Sequence, residues 1–180
     1  MLDVDPYSAL SRLRTFPALE LRSADFTDGG ALPVSAWSSS RGGADRSPEL
    51  SWGDPPAETK SFAVSCYDPD APTGSGYWHW AVSDLPAGIR SLAAGAGDGE
   101  PGSLPAGALT LPNEVRLPRY LGAAPPAGTG VHRYVFVVDA LDVESLGLNG
   151  DETPAILGFH RHFHTLARGI LTGTADPSDR

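Results

Sequence analysis

Between Val131 and Val138 the chain alternates with a period of two. His132, Tyr134, Phe136 and Val138 fall on one face of an extended segment, and Val131, Arg133, Val135 and Val137 on the other. This run is the clearest strand, predicted over Val131–Ala140. The segment before Asp84 reads the same way: Tyr77, His79, Ala81 and Ser83 share a face opposite Trp78, Trp80 and Val82. If the two strands lie in one sheet, His79 and His132 converge near its end. Further strands are predicted near Leu19–Ser23, Leu50–Trp52, Ser61–Tyr67 and Trp78–Ser83, separated by turn-rich loops. The Gly-, Ala- and Pro-rich stretch from Leu85 to Gly130 predicts ordered loop with brief strands.

A longer period governs the C-terminal part. Ile156, Phe159, Phe163, Leu166 and Ile170 recur at three- and four-residue steps and predict the apolar stripe of a helix. Thr153 suits its N-cap and Pro154 its first position, with Asp151 and Glu152 beside the positive helix end. Arg161, Thr165 and Arg168 would then face away from the stripe, and Gly173 would end the helix. A short helix around Tyr7–Leu13 precedes Pro17, so residues 1–17 read as an N-terminal extension to a single domain over 18–180. The expected class is mostly β, with short peripheral helices and a C-terminal helix.

Composition agrees with this. The 21 glycines and 17 prolines among 180 residues suit a turn-rich β fold, and a domain this long buries roughly 70% of its unfolded surface without needing staples. A net charge of −9 speaks against nucleic acid and anionic membrane surfaces, so an anionic ligand has to be caught by local donors. The single cysteine, Cys66, excludes an intrachain disulfide, and its apolar surroundings mark it as buried filler. The start of the chain shows no secretory pattern, and no run is long enough to span a bilayer, so a cytoplasmic location is expected.

The chemistry gathers at strand ends. Asp68-Pro69-Asp70-Ala71-Pro72 follows one predicted strand. On spacing alone this is an ordinary turn, its carboxylates bonding nearby amides. Proline, however, holds Asp68 and Ala71 extended, which aims side chains in fixed directions. One aspartate is expected to face a pocket and the other to brace the loop. A single strand histidine is usually structural; His79 and His132 at two strand ends, with Tyr134 nearby, favour a pocket. An imidazolium, a tyrosine hydroxyl and the amides of the Gly122–Gly130 segment make a receptor for phosphate or carboxylate. That segment lacks the Gly-Lys-Ser/Thr ending of a nucleotide loop. His160, His162 and His164 would offer one ion at most His160 and His164, and packing is the expected role. Serine-hydrolase, zinc-protease and dinucleotide signatures are missing, and no cofactor or metal is expected.

Taken together these residues resemble the phosphatidylethanolamine-binding protein family, in its bacterial Raf-kinase-inhibitor-like branch. The resemblance runs from about Ala18 to Thr174. It rests on Ser47-Pro48-Glu49-Leu50-Ser51-Trp52, on Ser61-Phe62 through Asp68-Pro69-Asp70-Ala71-Pro72 with Trp78-His79-Trp80, and on Gly128-Thr129-Gly130-Val131-His132-Arg133-Tyr134. Gly158-Phe159, His162, His164, Leu166-Ala167 and Leu171-Thr172-Gly173-Thr174 resemble the bacterial C-terminal part. The resemblance implies two packed antiparallel sheets with a small anion cavity lined or braced by Asp68, Asp70, Pro72, His79, His132 and Tyr134. Tyr120 and the Gly122–Pro126 loop would form its rim. There the chain reads Arg119-Tyr120-Leu121-Gly122-Ala123-Ala124-Pro125-Pro126, where bacterial relatives usually carry Gly-Tyr-x-Gly-Pro-x-Pro-Pro, and Asn113-Glu114 stands for an Asn-Asp pair.

The expected function is capture of a small phosphoryl or carboxylate ligand such as a phosphoethanolamine headgroup. His79 and His132 would donate hydrogen bonds, Asp70 would hold a histidine, Tyr134 would support the site, and Asp68 would constrain the loop or share the carboxylate role. The alternative is a regulatory module acting through its rim on a protein kinase or serine protease. A hydrolase ranks lowest, because no nucleophile completes the Asp/His set. A homodimer is a further expectation; nucleic acid and membrane-spanning partners are not.

Overall fold

The strongest periodicities become the centre of the molecule. The computed structural model describes residues 2–3 and 5–179. In chain order the elements are α1 (Pro6–Ser11), β1 (Leu21–Arg22), β2 (Leu50–Trp52), β3 (Ser61–Asp68), β4 (Tyr77–Pro86), β5 (Ser91–Leu92), β6 (Leu109–Thr110), β7 (His132–Leu141), α2 (Pro154–His164) and β8 (Thr165–Ala175). They form two antiparallel sheets, a three-stranded one in the order β1-β2-β5 and a five-stranded one in the order β6-β4-β3-β7-β8. The fold is mostly β, as expected.

One face of the large sheet meets the small sheet. Phe62, Val64 and Cys66 of β3, with Phe136 and Val138 of β7, pack against Leu21, Leu50, Trp52 and Leu92. The other face carries a smaller cluster of Ala63, Ala81, Leu111 and Leu141 beneath Leu157 of α2. Cys66 lies in the main core, where burial pushes its thiol well above the ordinary range. Filler is therefore its observed role.

Strand β4 departs from simple alternation. Cys66 pairs with Trp80 while Tyr67 pairs with Trp78, so His79 is an extra residue in the ladder. This bulge reverses the parity. Tyr77 and His79 face the same side as Trp80 and Val82, whereas Ala81 joins the opposite cluster. The predicted grouping of His79 with Ala81 is corrected accordingly. A second irregularity falls between Phe62 and Val64, opposite Asp84, which has φ 59°.

The predicted C-terminal helix is half helix and half strand. Thr153 does occupy the N-cap and Pro154 the first turn, although the Thr153 side chain makes no capping bond. Glu152 instead accepts the amides of Asn149 and Gly150, closing the preceding turn. The helix ends at His164, and β8 then pairs with β7 along its length. Thr165, Ala167, Gly169, Leu171, Gly173 and Ala175 turn inward at a period of two. Two glycines in that run disfavour helix, and both are needed for packing. A Cβ on Gly169 would lie 2.7 Å from the Leu19 carbonyl oxygen, and one on Gly173 2.4 Å from Leu32 Cδ2.

The predicted faces of α2 are also exchanged. Ile156, Phe159 and Phe163 are exposed, while Leu157 and Arg161 are buried. Arg161 donates to Asp139, to Ser65 Oγ and to the Tyr7 hydroxyl, and Arg168 binds Asp139 through Nε and Nη2. A polar cluster inside the fold thus replaces the polar outer face that the helical pattern predicted.

The segment before β1 lies across this region. Arg14 donates to the carbonyls of His162, Phe163 and Thr165, closing the C-terminal end of α2. Near its start, the Leu2 amide donates to Asp70, and Arg133 Nη2 donates to the Leu2 carbonyl at 3.0 Å. Among the described residues no helix is long and apolar enough to cross a membrane.

Candidate functional site

Where β3, β4 and β7 end together, a cavity of about 370 Å³ opens at the end of the sheet. Asp68, Pro72, His79, Gly122, His132 and Tyr134 all line it, six of the eight residues expected there. The β3–β7 register sets Asp68 beside the Tyr134 end of its neighbour, and the β4 bulge swings His79 inward. The two histidines are therefore brought to one space, His79 by the bulge and not by the alternation.

Each imidazole is pinned at Nδ1. His132 Nδ1 lies 2.7 Å from Asp68 Oδ2, both side chains being buried. His79 Nδ1 lies 2.7 Å from the Leu121 carbonyl oxygen. A carbonyl only accepts, so this nitrogen carries the proton and leaves Nε2 of a neutral His79 as an acceptor. Burial holds the His79 imidazole below its ordinary value, outweighing the Leu121 bond and the Asp68 charge. His132 Nε2 meets Thr129 Oγ1 at 2.7 Å, and that hydroxyl also reaches the Pro126 carbonyl. Tyr134 sets the edge of its ring against His79, 4.9 Å between centroids, and burial raises its phenol far above the usual range.

The aspartates exchange their expected roles. Asp68, not Asp70, holds a histidine, and its Oδ1 also accepts the Asp70 amide at 2.7 Å. Asp70 turns away from the cavity and accepts from the Arg133 amide, Nε and Nη2. Burial alone would raise its pKa, but the Arg133 and Leu2 bonds outweigh it and the group lies below the usual carboxylate value. One aspartate lines the space and the other braces the loop, so the expected placement of Asp70 at the ligand and on a histidine is corrected.

Tyr120 is not part of the rim. Its ring is wholly buried edge-on to Trp80, and its hydroxyl donates to the Ala36 carbonyl at 3.0 Å. Three of the amides expected to serve a ligand are engaged elsewhere. Gly122 N–H donates to Asp45, Ala123 N–H to Ala36, and Thr129 N–H to Pro126. His160, His162 and His164 lie away from the cavity on α2; His164 Nδ1 contacts Asp142 Oδ1 at 2.8 Å. Among the described residues no cluster could hold a metal ion.

Sequence reasoning missed the loop facing the Gly122–Pro126 segment. Ser38 and Ser40 line the cavity, their hydroxyls 3.0 Å apart. Behind them Asp45 accepts Gly122 N–H at 2.9 Å and Ser39 N–H at 3.0 Å. Burial pushes the Asp45 pKa up, but these bonds bring it below the ordinary value. Arg41 Nη2 adds a 2.7 Å bond to the Pro125 carbonyl. Thus two loops are locked together before any ligand arrives. The small polar run Ser38-Ser39-Ser40-Arg41 was the available signal.

Gly122 sits at the closest approach of those loops. A Cβ there would lie 2.3 Å from the Trp37 carbonyl carbon and 2.4 Å from Ser38 N, both backbone atoms that cannot rotate aside. Gly122→Ala is expected to lower stability by about 1–3 kcal/mol through overpacking. It should also separate the two loops. The urea midpoint of the variant checks the effect; an unchanged midpoint would show that the close approach at Gly122 carries no packing constraint.

Comparison with known proteins covers nearly the same span. The model of the family described as "Phosphatidylethanolamine-binding protein" matches residues 22–176. The UPF0098 protein YbhB of Escherichia coli (strain K12) is 46% identical over 156 residues, 86% of this chain and 98% of that one. The crystal structure of E. coli YbcL, titled a new member of the mammalian PEBP family, superposes with a TM-score of 0.84 at 36% identity, covering 88% of this chain and 98% of that one. A PEBP homolog, CT736 of Chlamydia trachomatis, gives a TM-score of 0.75 at 29% identity, over 88% and 97% of the respective chains.

Proposed function

This chain belongs to the phosphatidylethanolamine-binding protein family, and from that premise we propose that its cavity captures a small phosphoryl or carboxylate group, such as a phosphoethanolamine headgroup, in the cytoplasm. The observation that carries this reading is the pair of buried imidazoles, each pinned at Nδ1 and each lining the cavity. Pinning fixes both rings before a ligand arrives, which lowers the entropy lost on binding. Ser38 and Ser40 add hydroxyls that bond to each other, not to a histidine that could activate them. That arrangement supports capture over turnover.

Binding on this reading is linked to protons. Neutral His79 presents a lone pair to the cavity, so an anion is held only when Nε2 gains a proton. The bound anion favours the imidazolium, while burial disfavours it in the free protein. Affinity is therefore greatest below the free-state value and falls as pH rises above it, by up to about tenfold per pH unit until the bound-state value is passed. Sulfate is the clean probe, since it stays dianionic throughout. Calorimetry should show weaker sulfate binding at pH 8 than at pH 5.5, and proton uptake in buffers of different ionisation enthalpy. Phosphoethanolamine should bind the wild type and lose affinity in His132→Ala. Equal affinity in wild type and variant would sink the reading.

A further inference from the structure

A groove of about 590 Å³, more spacious than the histidine cavity, runs between α1 and α2 on the opposite side of the large sheet. Leu10 and Leu13 form one wall, and Phe159 and Phe163 the other. Their exposures of 39%, 75%, 62% and 58% leave four large apolar side chains open to water around one depression. Contiguous apolar surface of this kind marks a contact site, whereas scattered exposed residues do not.

The groove also has a charged end. Arg161 and Arg168 both line it and share the single carboxylate of Asp139, which leaves one positive charge in a chain of net −9. Arg168 uses Nε and Nη2 on Asp139 and lies over the Phe16 ring at 4.6 Å. Its Nη1 makes no hydrogen bond among the described residues.

We propose that this groove binds a long-chain carboxylate, with the hydrocarbon between the Leu10/Leu13 and Phe159/Phe163 walls and the carboxylate at Arg168. The volume lies within the range of roughly 300–1,000 Å³ typical of small-molecule sites. A helical peptide fits poorly, since a cylinder 10 Å across needs roughly 420 Å³ per turn. An extended peptide would bury amides between two helices whose own backbone groups are already paired, whereas a hydrocarbon chain leaves nothing unsatisfied. Charge and shape together favour the amphiphilic anion. Pro6, Tyr7, Leu10 and Leu13 supply one wall and lie outside the span matched to the family, so the site is independent of the reading of the histidine cavity.

The test uses the full chain and dodecanoate below its micelle concentration. Calorimetry should give saturable one-to-one binding, weakened at least tenfold in Leu13→Gln and in Phe163→Gln. Both positions are exposed, so the variants should melt like wild type. Dodecyltrimethylammonium, with the same tail and opposite charge, should bind at least tenfold more weakly. His132→Ala should leave dodecanoate binding unchanged, which separates this site from the anion cavity. Equal affinity for the cationic amphiphile, or for the two glutamine variants, would overturn the proposal. So would dodecanoate binding that His132→Ala abolishes, or a dimer that Phe163→Gln dissociates without any dodecanoate bound.

Discussion

Replacing Asp139 with alanine should remove a large part of the stability of the fold. Asp139 is wholly buried, with Arg168 Nε at 2.6 Å and Arg161 Nε at 3.1 Å. The two guanidiniums bring net positive charge into the interior, and Asp139 is the carboxylate that faces both. Burial would lower the Arg161 pKa, but the Asp139 charge outweighs it and the group stays cationic. Removing one partner of a buried ion pair costs about 3–5 kcal/mol, because the remaining charge is left without compensation. With two arginines stranded, the upper end is expected. In a domain of this size that lowers the melting temperature by roughly 6–20 °C. The urea midpoint of Asp139→Ala should fall with the slope unchanged. A decisive control replaces all three charges, as Asp139→Leu with Arg161→Met and Arg168→Met, and should recover much of the loss. If Asp139→Ala costs less than about 1 kcal/mol, water reaches the guanidiniums and the cluster is not a buried one.

That cluster shows where reading the sequence stops. Phe159, Phe163 and Ile170 fit a helical stripe, yet Phe159 and Phe163 lie on the open face of α2, and the register with β7 places residues 165–175 in a strand that leaves Ile170 exposed. Three- and two-residue periods coexist over this stretch, and the choice between them was made by the unpaired edge of β7 and by Gly169 and Gly173, which let Leu19 and Leu32 close over β8. Neither constraint is local. The central strands were legible because β3 and β7 are buried on both faces or alternate cleanly, and no turn residue interrupts them.

The cavity was legible in a similar, partial way. Asp68, His79, His132 and Tyr134 were found from residue type and strand ends, and all four line one space. His79 arrived there by a bulge that no alternation could predict, which also shows why placing it with Ala81 failed. Asp45 was invisible because its role is to hold a loop 77 residues away, at Gly122. Tyr120 carried the right motif but the wrong depth. Its hydroxyl bond to Ala36 ties it inside the core, leaving the rim to Ser38, Pro125 and Pro126. Rim chemistry depends on loop-to-loop packing, and that is the least local information in a fold.

Two substitutions at Asp68 should separate structure from binding. Asp68 Oδ2 takes the His132 Nδ1 proton and Oδ1 takes the Asp70 amide, each at 2.7 Å, in a buried setting. Asp68→Ala leaves two buried donors unpaired and is expected to cost about 1–3 kcal/mol for each. Asp68→Asn keeps shape and one acceptor. Its amide oxygen can still serve Asp70, while its NH₂ faces His132. The ring can answer by moving its proton to Nε2 and accepting at Nδ1, with Thr129 Oγ1 then accepting from Nε2 and donating to Pro126. The neutral ring is thereby satisfied, so stability should fall by only about 1 kcal/mol. The imidazolium is not satisfied, because two N–H groups would then confront each other. A hydrogen bond to a charged group is worth about 1.5–3 kcal/mol, so Asp68→Asn should weaken sulfate and phosphoethanolamine about ten- to hundredfold while remaining folded. Calorimetry beside urea denaturation measures the two quantities independently. Wild-type affinity in a stable Asp68→Asn would mean that no charge on His132 contributes to holding the anion, and that His79 acts alone.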